Sequence, residues 1–323
     1  MPHVIAARSR DGPTAGVDER LCCGDIKKGG LPMKFGKYGV FTFTDAMDGA
    51  QLTELAQRLE ALGYSTLWYP EAFNYEPFAI GAYLLGASKK LVVASGIANI
   101  YARDAASAVM GHNSLNKLYG ERFVLGLGVS HAPLVSDLRG HEYKQPVATM
   151  RAYLDRMDQT WAALGGAPAE KRVVLAALGP QMSKLAAERT LGTFPYNITP
   201  AQVGLSRAAM GDKGAIICEQ KVCLCEDPTV ARKAARAALA PYMGLPNYYK
   251  NWFRLGFDER DLKDGGSDRL MDAMVVWGSA EAIKARLKTY FDDGAAQVVV
   301  QPIRADGQPG PCWKVLEALA PGA

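Results

Sequence analysis

Histidine is scarce: the 323-residue chain has four. None of its cysteines forms a C-x-x-C pair, so these residues do not assemble a zinc motif. The six cysteines, Cys22, Cys23, Cys218, Cys223, Cys225 and Cys312, are expected as reduced thiols that behave as small apolar groups. Cys223 and Cys225 alternate with Leu224 in a strand pattern and are expected on one side of it. No run of eighteen apolar residues exists, which excludes an apolar spanning helix. Blocks of five or six like charges are also missing, and the formal net charge is only +4. That balance argues against a nucleic-acid partner and leaves a small molecule as the expected one. The N-terminus lacks the apolar core of a secretory signal. Together these absences suggest a reducing, cytoplasmic setting.

What remains is ordinary globular material, 49% hydrophobic and 22% charged, enough for one large domain or two average ones. Residues 1–32 show no sustained periodicity, and their acidic Asp11, Asp18, Glu19 and Asp25 speak against a basic targeting peptide. They are expected to be an upstream extension or disordered arm, with the folded domain spanning 33–323 and a natural start at Met33.

From Met33 onward strand and helix patterns alternate. Strands are expected at Phe35–Phe41, Ser65–Tyr69, Leu91–Ala98, from Arg122 to Gly128, at Val173–Ala177, weakly at Thr193–Phe194, within Ala215–Cys225, and at Gln297–Gln301. Between them lie helical periodicities with start signals: Asp48, Pro146, Gly179-Pro180, Thr199-Pro200, Asp227-Pro228 and Ser279 with Glu281. Leu239 to Met274, carrying Tyr248, Tyr249, Trp252 and Phe253, is expected as a helical insertion before the last strand. Eight strands alternating with helices imply a parallel sheet. A doubly wound sheet predicts a glycine-rich dinucleotide turn after the first strand, where Asp45-Ala46-Met47-Asp48 stands instead. Gly126-Leu127-Gly128-Val129-Ser130-His131 begins like that fingerprint but ends in histidine, with its first glycine inside the strand. The closed (β/α)8 barrel is therefore preferred.

In such a barrel, function gathers at the C-terminal ends of the strands. Those ends carry Glu71; Ser95, Gly96 and Asn99; Ser130 and His131; Leu178, Gly179, Pro180 and Gln181; then Tyr196 and Asn197. One carboxylate and one imidazole among small and neutral groups do not make a paired-acid hydrolase. They suit a flat cofactor that performs the chemistry itself, and Gly179-Pro180-Gln181 at a helix start offers backbone N–H groups to a phosphate. For His131 the competing reading is a structural hydrogen bond. For Glu71 it is a cap or an arginine pair. Arg103-Asp104 is expected to cap the next helix, and His112 and Asn113 to be surface or outer-layer groups.

Several segments in order resemble the bacterial-luciferase-like superfamily, and within it the coenzyme F420-dependent oxidoreductases of mycobacterial and actinobacterial type. They are Thr66-Leu67-Trp68-Tyr69-Pro70-Glu71, the block from Gly120 to His131, Ala177-Leu178-Gly179-Pro180-Gln181-Met182, Leu245-Pro246-Asn247-Tyr248-Tyr249 and Gly278-Ser279-Ala280-Glu281. The resemblance covers about Met33 to Pro302. It implies a (β/α)8 TIM barrel of the bacterial-luciferase-like type, with F420 held at the C-terminal mouth and a homodimeric state. A non-proline cis peptide is implied at Ser95-Gly96, backing the ring system. Ile97, Ala98 and Asn99 would line the same wall, with Gly128, Val129 and Ser130 against the ring. Leu178, Gly179, Pro180 and Gln181 would lie by the phosphate-bearing tail, with Tyr196 and Thr199 near it.

The chain departs from the family's sugar-phosphate dehydrogenases. Glu71 matches their carboxylate, but Ala72 stands where they carry histidine, and His131 stands where they carry glutamate. The expectation is an oxidoreductase in which His131 donates or accepts a proton and Glu71 holds the deazaflavin edge or orients substrate. The alternatives are an FMN-dependent monooxygenase and a non-catalytic deazaflavin-binding protein.

Overall fold

The strands of this chain are short and apolar, and each sends alternate side chains to opposite faces, so a parallel sheet must be covered on both. The computed structural model describes residues 35–308 and 310–322. The expected extension over 1–32, the proposed start at Met33, and Cys22 and Cys23 lie outside them.

In chain order the elements are β1 (Tyr38–Phe41), α1 (Gly49–Ala61), β2 (Thr66–Tyr69), α2 (Pro77–Ala87), β3 (Val92–Ser95), β4 (Ala98–Asn99), α3 (Ala105–Leu118), β5 (Phe123–Gly128), α4 (Pro146–Ala163), β6 (Val173–Leu175), α5 (Pro180–Arg189) and β7 (Gly192–Thr193). They continue as α6 (Ala201–Met210), β8 (Ala215–Leu224), α7 (Pro228–Leu239), α8 (Pro246–Arg254), α9 (Asp268–Met274), β9 (Val275–Gly278), α10 (Ala280–Asp292), β10 (Gln297–Pro302) and α11 (Trp313–Ala318). The strands pair in the order β10-β1-β2-β3-β5-β6-β7-β8, and β8 pairs again with β10, closing an eight-stranded parallel barrel. The two remaining strands are additions: β4 runs beside the end of β5, and β9 beside the end of β8.

One inward residue from each wall segment builds the barrel core: Phe41, Trp68, Ala94, Val124, Val174, Phe194, Ile217 and Val299, all at most 1% exposed. Trp68 and Phe194 stack at 4.4 Å between ring centres. Their neighbours in sequence, such as Val40, Leu67, Val93, Val173 and Cys218, face outward into the helix layer, as the two-residue period requires. Below this layer, Trp68 Nε1 donates to Thr66 Oγ1 (2.8 Å), Thr66 Oγ1 to Gln297 Oε1 (3.0 Å), and Gln297 Nε2 to the Gly36 carbonyl (2.8 Å). This polar plug satisfies the buried groups at the N-terminal end and closes it.

The helix starts follow the capping chemistry. Asp48 forms a reciprocal capping box with Gln51, while Asp104, Asp227 and Ser279 accept first-turn N–H groups of α3, α7 and α10. Thr199 does not cap with its side chain. Only its carbonyl takes part, accepting from Gln202 N, and α6 begins at Ala201 without a side-chain cap.

Four further expectations are corrected. The third strand breaks, with β3 ending at Ser95 and β4 resuming at Ala98. The cis peptide joins Gly96 to Ile97, one residue beyond the expected Ser95-Gly96. Ser95 stays in the sheet because its hydroxyl donates to Gly126 O (2.9 Å) and accepts from Gly126 N (3.0 Å), so the chain departs only at Gly96. The sixth wall segment pairs through Gly192 and Thr193, with Phe194 already beyond it. His112 is 1% exposed, packed edge-on against Trp161. Cys223 and Cys225 do share one side, both packing in the insertion's core, although Cys225 lies just past the end of β8.

The insertion between β8 and β10 carries α8, α9 and the unforeseen β9. It has its own core, in which Tyr248, Trp252, Phe257, Leu270, Met271 and Met274 pack on Leu239 and Cys223. Three bonds pin α8 to the barrel rim: Asn247 Nδ2 to the Ser130 carbonyl (3.1 Å), Asn251 Nδ2 to Gln202 Oε1 (2.9 Å), and Trp252 Nε1 to the Asn197 carbonyl (2.9 Å). No described helix is long and apolar enough to cross a membrane.

Candidate active site

Two residues beyond the sealed core ring, the same inward register delivers Phe43, Gly96, Ala176, Tyr196, Glu219 and Gln301 to the C-terminal end. Here the barrel opens: Gly96, Ala176 and Tyr196 are half-buried and Phe43 is 44% exposed. The wall is shaped by missing side chains. A Cβ on Gly96 would stand 3.2 Å from both Phe194 and Phe41. Ile97 occupies the space that a Cβ on Gly128 would need, 2.5 Å from it. A Cβ on Gly126 would overlap the Ser95 carbonyl oxygen. The Gly96–Ile97 bulge and the two glycines of β5 therefore fit into each other, and Ile97 presents a flat apolar edge to the opening.

Tyr196 links this wall to the insertion. Its ring lies 5.2 Å from Phe41, 5.6 Å from Tyr242 and 6.2 Å from Tyr248. Its hydroxyl donates to Gln301 Oε1 (2.8 Å) and lies 3.0 Å from the Tyr242 hydroxyl. Beneath it sits a buried ion pair that sequence reasoning missed. Lys221 and Glu219, each 1% exposed, are 3.2 Å apart. Lys221 Nζ also donates to Asn197 Oδ1 and lies 3.9 Å from the Tyr196 ring centre. Glu219 accepts the Asn197 backbone N–H at 3.0 Å. Burial raises the Glu219 carboxyl and lowers the Lys221 amine, and each opposes the other's shift. The signal was present: Glu219 and Lys221 share the inward phase of Ile217 in a strand that is apolar on either side of Glu219–Lys221.

On the opposite rim β5 ends at Gly128, and Val129, Ser130 and His131 follow, all half-buried. Ser130 adopts a left-handed φ of 56°, and its carbonyl accepts from Asn247. His131 packs 5.2 Å from the Tyr248 ring, and its Nδ1 lies 3.2 Å from Asn247 Nδ2. Burial alone pulls its imidazole down to about 4. His131 is therefore a neutral side chain at ordinary pH.

Glu71 is placed differently. Its carboxylate grips Arg103 in a fork of 2.7 and 2.9 Å, accepts the Asn99 N–H at 2.7 Å, and lies 3.4 Å from Arg139. Its N–H donates to the Ile97 carbonyl. Glu71 thus ties the segment Ile97, Ala98 and Asn99 in place from outside the wall. A cavity of about 260 Å³ adjoins this pair, lined by Glu71, Phe73, Asn74, Arg103 and Arg139 among others. Arg103 goes to Glu71 as well as preceding the cap Asp104.

Leu178, Gly179, Pro180 and Gln181 form the start of α5, which no side chain caps. A Cβ on Gly179 would lie 3.9 Å from Arg254 Nη2. Among the described residues that guanidinium has no carboxylate within ion-pair distance, and Asn251 Oδ1 accepts from it at 2.8 Å. Ser183, one turn along, has a buried hydroxyl with no hydrogen-bond partner among the described residues. An uncapped helix start, a cation and a free hydroxyl form a set suited to an anion.

Comparison with known proteins agrees with this architecture. The family model described as luciferase-like monooxygenase matches residues 33–297. A Mycobacterium tuberculosis protein named for coenzyme F420-dependent oxidoreduction is 23% identical over 309 residues, covering 76% of this chain and 89% of that one. The 5,10-methylenetetrahydromethanopterin reductase of Methanolobus tindarius is 25% identical over 293 residues, covering 77% and 89%. In fold, the coenzyme F420-dependent tetrahydromethanopterin reductase of Methanopyrus kandleri superposes with a TM-score of 0.71 at 16% identity, covering 88% of this chain and 97% of that one. With the closed barrel, its bulged third strand and the match over 33–297 in hand, the chain belongs to the luciferase-like monooxygenase family of enzymes.

Proposed function

We propose that this protein is a coenzyme F420-dependent oxidoreductase that moves a hydride between the deazaflavin and a small organic substrate. The observation that carries the reading is the half-open ring above a sealed barrel core. Gly96 and Gly128 leave a wall on which the Ile97 side chain is the one laid across Gly128, Tyr196 forms the floor, and the uncapped start of α5 with Arg254 stands beside it. These residues fit a flat tricyclic ring with an anionic tail. Ile97 and Gly128 would support the ring face. Gly179, Ser183 and Arg254 would hold the phosphate. His131 and Tyr248, on the insertion side, would meet the substrate. When bound, the deazaflavin supplies the two-electron hydride chemistry. The chain's own groups orient the partners and exclude water from the apolar wall. The relatives named for F420 support the same choice.

The test is a spectroscopic titration of purified protein with F420 and with FMN, followed by turnover with reduced deazaflavin. Saturable F420 binding and deazaflavin oxidation coupled to substrate reduction are expected. Binding of FMN alone, with oxygen consumption, would establish instead an FMN-dependent monooxygenase, in keeping with the family's description as luciferase-like monooxygenases. Binding without turnover would establish a deazaflavin carrier.

A further inference from the structure

The side-chain amide of Asn247 touches three atoms at once. Its Nδ2 lies 3.1 Å from the Ser130 carbonyl oxygen, 3.2 Å from His131 Nδ1 and 3.3 Å from the Tyr143 hydroxyl. A carbonyl oxygen can only accept, so the NH2 end of the amide must face Ser130. The same NH2 end therefore faces His131 Nδ1. The amide has two N–H bonds, one for the Ser130 carbonyl and one left for Nδ1, while the Tyr143 hydroxyl can itself donate to the Ser130 carbonyl. An amide nitrogen cannot accept, so a proton on Nδ1 would find no acceptor there, and a neutral imidazole with a bare Nδ1 carries its proton on Nε2.

We propose that Asn247 is a positioning residue that holds His131 as the neutral Nε2–H tautomer, so that His131 donates a hydrogen bond to the carbonyl oxygen of the substrate. The substrate class is accordingly a carbonyl compound, and this part rests on the oxidoreductase reading above. In the reducing direction, a bound reduced deazaflavin would supply a hydride to the electrophilic carbon. The π pair of the carbonyl, or of the conjugated C=C–C=O system, moves onto oxygen, and water then supplies the proton. His131 keeps its proton throughout and stabilises the charge that develops on oxygen, as a neutral donor held in place before the reaction.

The surroundings agree. The groups facing the imidazole are the Tyr248 ring and Asn247, both from α8, and Tyr143 from the loop after β5 touches Asn247 in turn. Tyr143 and Tyr248 are both shifted upward by burial and stay neutral. No charged neighbour contributes to the His131 shift, which is downward and caused by burial. The insertion thus does more than cover the opening, because its second helical residue sets which ring nitrogen carries the proton.

The test uses apoprotein with nitrogen-15-labelled histidine, which needs no cofactor. Nitrogen–proton NMR should show His131 as the Nε2–H tautomer, titrating near 4. Asn247→Asp should move the proton to Nδ1 and raise the titration to the ordinary value of about 6.5 or above. Asn247→Leu removes the donor without adding charge and should produce a tautomer mixture. A wild-type His131 protonated at Nδ1, or an unchanged tautomer in Asn247→Leu, would overturn the role of Asn247.

The second arm measures reduction of cyclohex-2-enone and cyclohexanone by reduced F420. The wild-type kcat should be flat between pH 5.5 and 8, and Asn247→Asp should acquire a pH dependence in that range. His131→Leu should lower kcat by roughly a hundredfold, the scale of one lost donor to a developing oxyanion. His131→Gln, which can present an amide N–H, should recover part of that loss. If deazaflavin binds but neither probe is reduced, the carbonyl assignment fails while the tautomer result stands. If deazaflavin does not bind, the oxidoreductase reading fails, and NMR alone decides the role of Asn247.

Discussion

Glu71 and Arg103 form a two-pronged ion pair, 2.7 and 2.9 Å at its two oxygens, with both side chains less than 10% exposed. Arg103→Met removes both prongs but leaves Glu71 with Arg139 at 3.4 Å and the Asn99 N–H. It should therefore cost about 1.5–3 kcal/mol in urea unfolding, the scale of a hydrogen bond lost to a charged group. Glu71→Gln keeps the acceptor for the Asn99 N–H and should cost less. An unchanged urea midpoint in Arg103→Met would remove the anchoring role given to the pair.

The Glu219–Lys221 pair makes a sharper prediction because both groups are almost completely inaccessible. Lys221→Met should destabilise the protein by about 3–5 kcal/mol. Glu219→Gln combined with Lys221→Met should recover most of that loss, since no buried charge remains. A double-mutant cycle read by chemical denaturation checks this, and strictly additive losses would contradict the pairing.

Gly126 has no room for a methyl group, because its Cβ would collide with backbone at Ser95. Gly128 is less restricted, since its Cβ would meet the movable end of Ile97. Gly126→Ala should therefore cost more than Gly128→Ala, the latter falling within the roughly 1–3 kcal/mol of ordinary overpacking. Gly128→Ala should nonetheless weaken F420 binding, because it pushes Ile97 into the opening. Thermal melts and a cofactor titration of the two variants separate these effects.

His131 also predicts a pH dependence of stability. Its ordinary value of 6.5 applies in the unfolded chain, and burial lowers it to about 4 in the folded one. Between those values the unfolded state binds the proton and the folded state does not, so stability present above pH 6.5 is lost as the pH falls toward 4. The full effect of this one residue is roughly 3 kcal/mol at most. His112, shifted downward by its own burial, adds to the same trend. Urea midpoints at pH 7.5 and pH 5 should differ less in His131→Gln than in the wild type. Equal differences would show that His131 is accessible to protons in the folded state.

Much of this architecture was legible in the sequence because it rests on local rules. Asp48, Asp104, Asp227 and Ser279 mark helix starts through first-turn hydrogen bonds that involve only neighbouring residues. The apolar runs of β5, β6 and β10 show as buried parallel strands, and their number with the intervening helices suggested a closed barrel. The strand-end residues Gly96, Ile97, Gly128, Tyr196 and His131 lie at the C-terminal end of the barrel, which the alternation of strands and helices alone places there. Less legible were the features that depend on partners distant in sequence. Nothing near Ser95 indicates that Gly126 holds it in the sheet, so the position of the cis bond was missed by one residue. Val275–Gly278 is a strand because the end of β8 leaves an edge to pair with. Glu71 could equally have faced the opening until Arg103 and the Asn99 N–H were seen to surround it.

By itself the sequence determined the periodicity, the caps and the residue types offered at each strand end, because these follow from backbone geometry within a few positions. Only the tertiary structure decided which of those residues are open, which are paired, and what protonation state they hold. Glu219, Lys221 and His131 acquire their properties from the loss of water and from charges and amides brought in from remote parts of the chain, and such surroundings exist only once the barrel has closed and the insertion has docked.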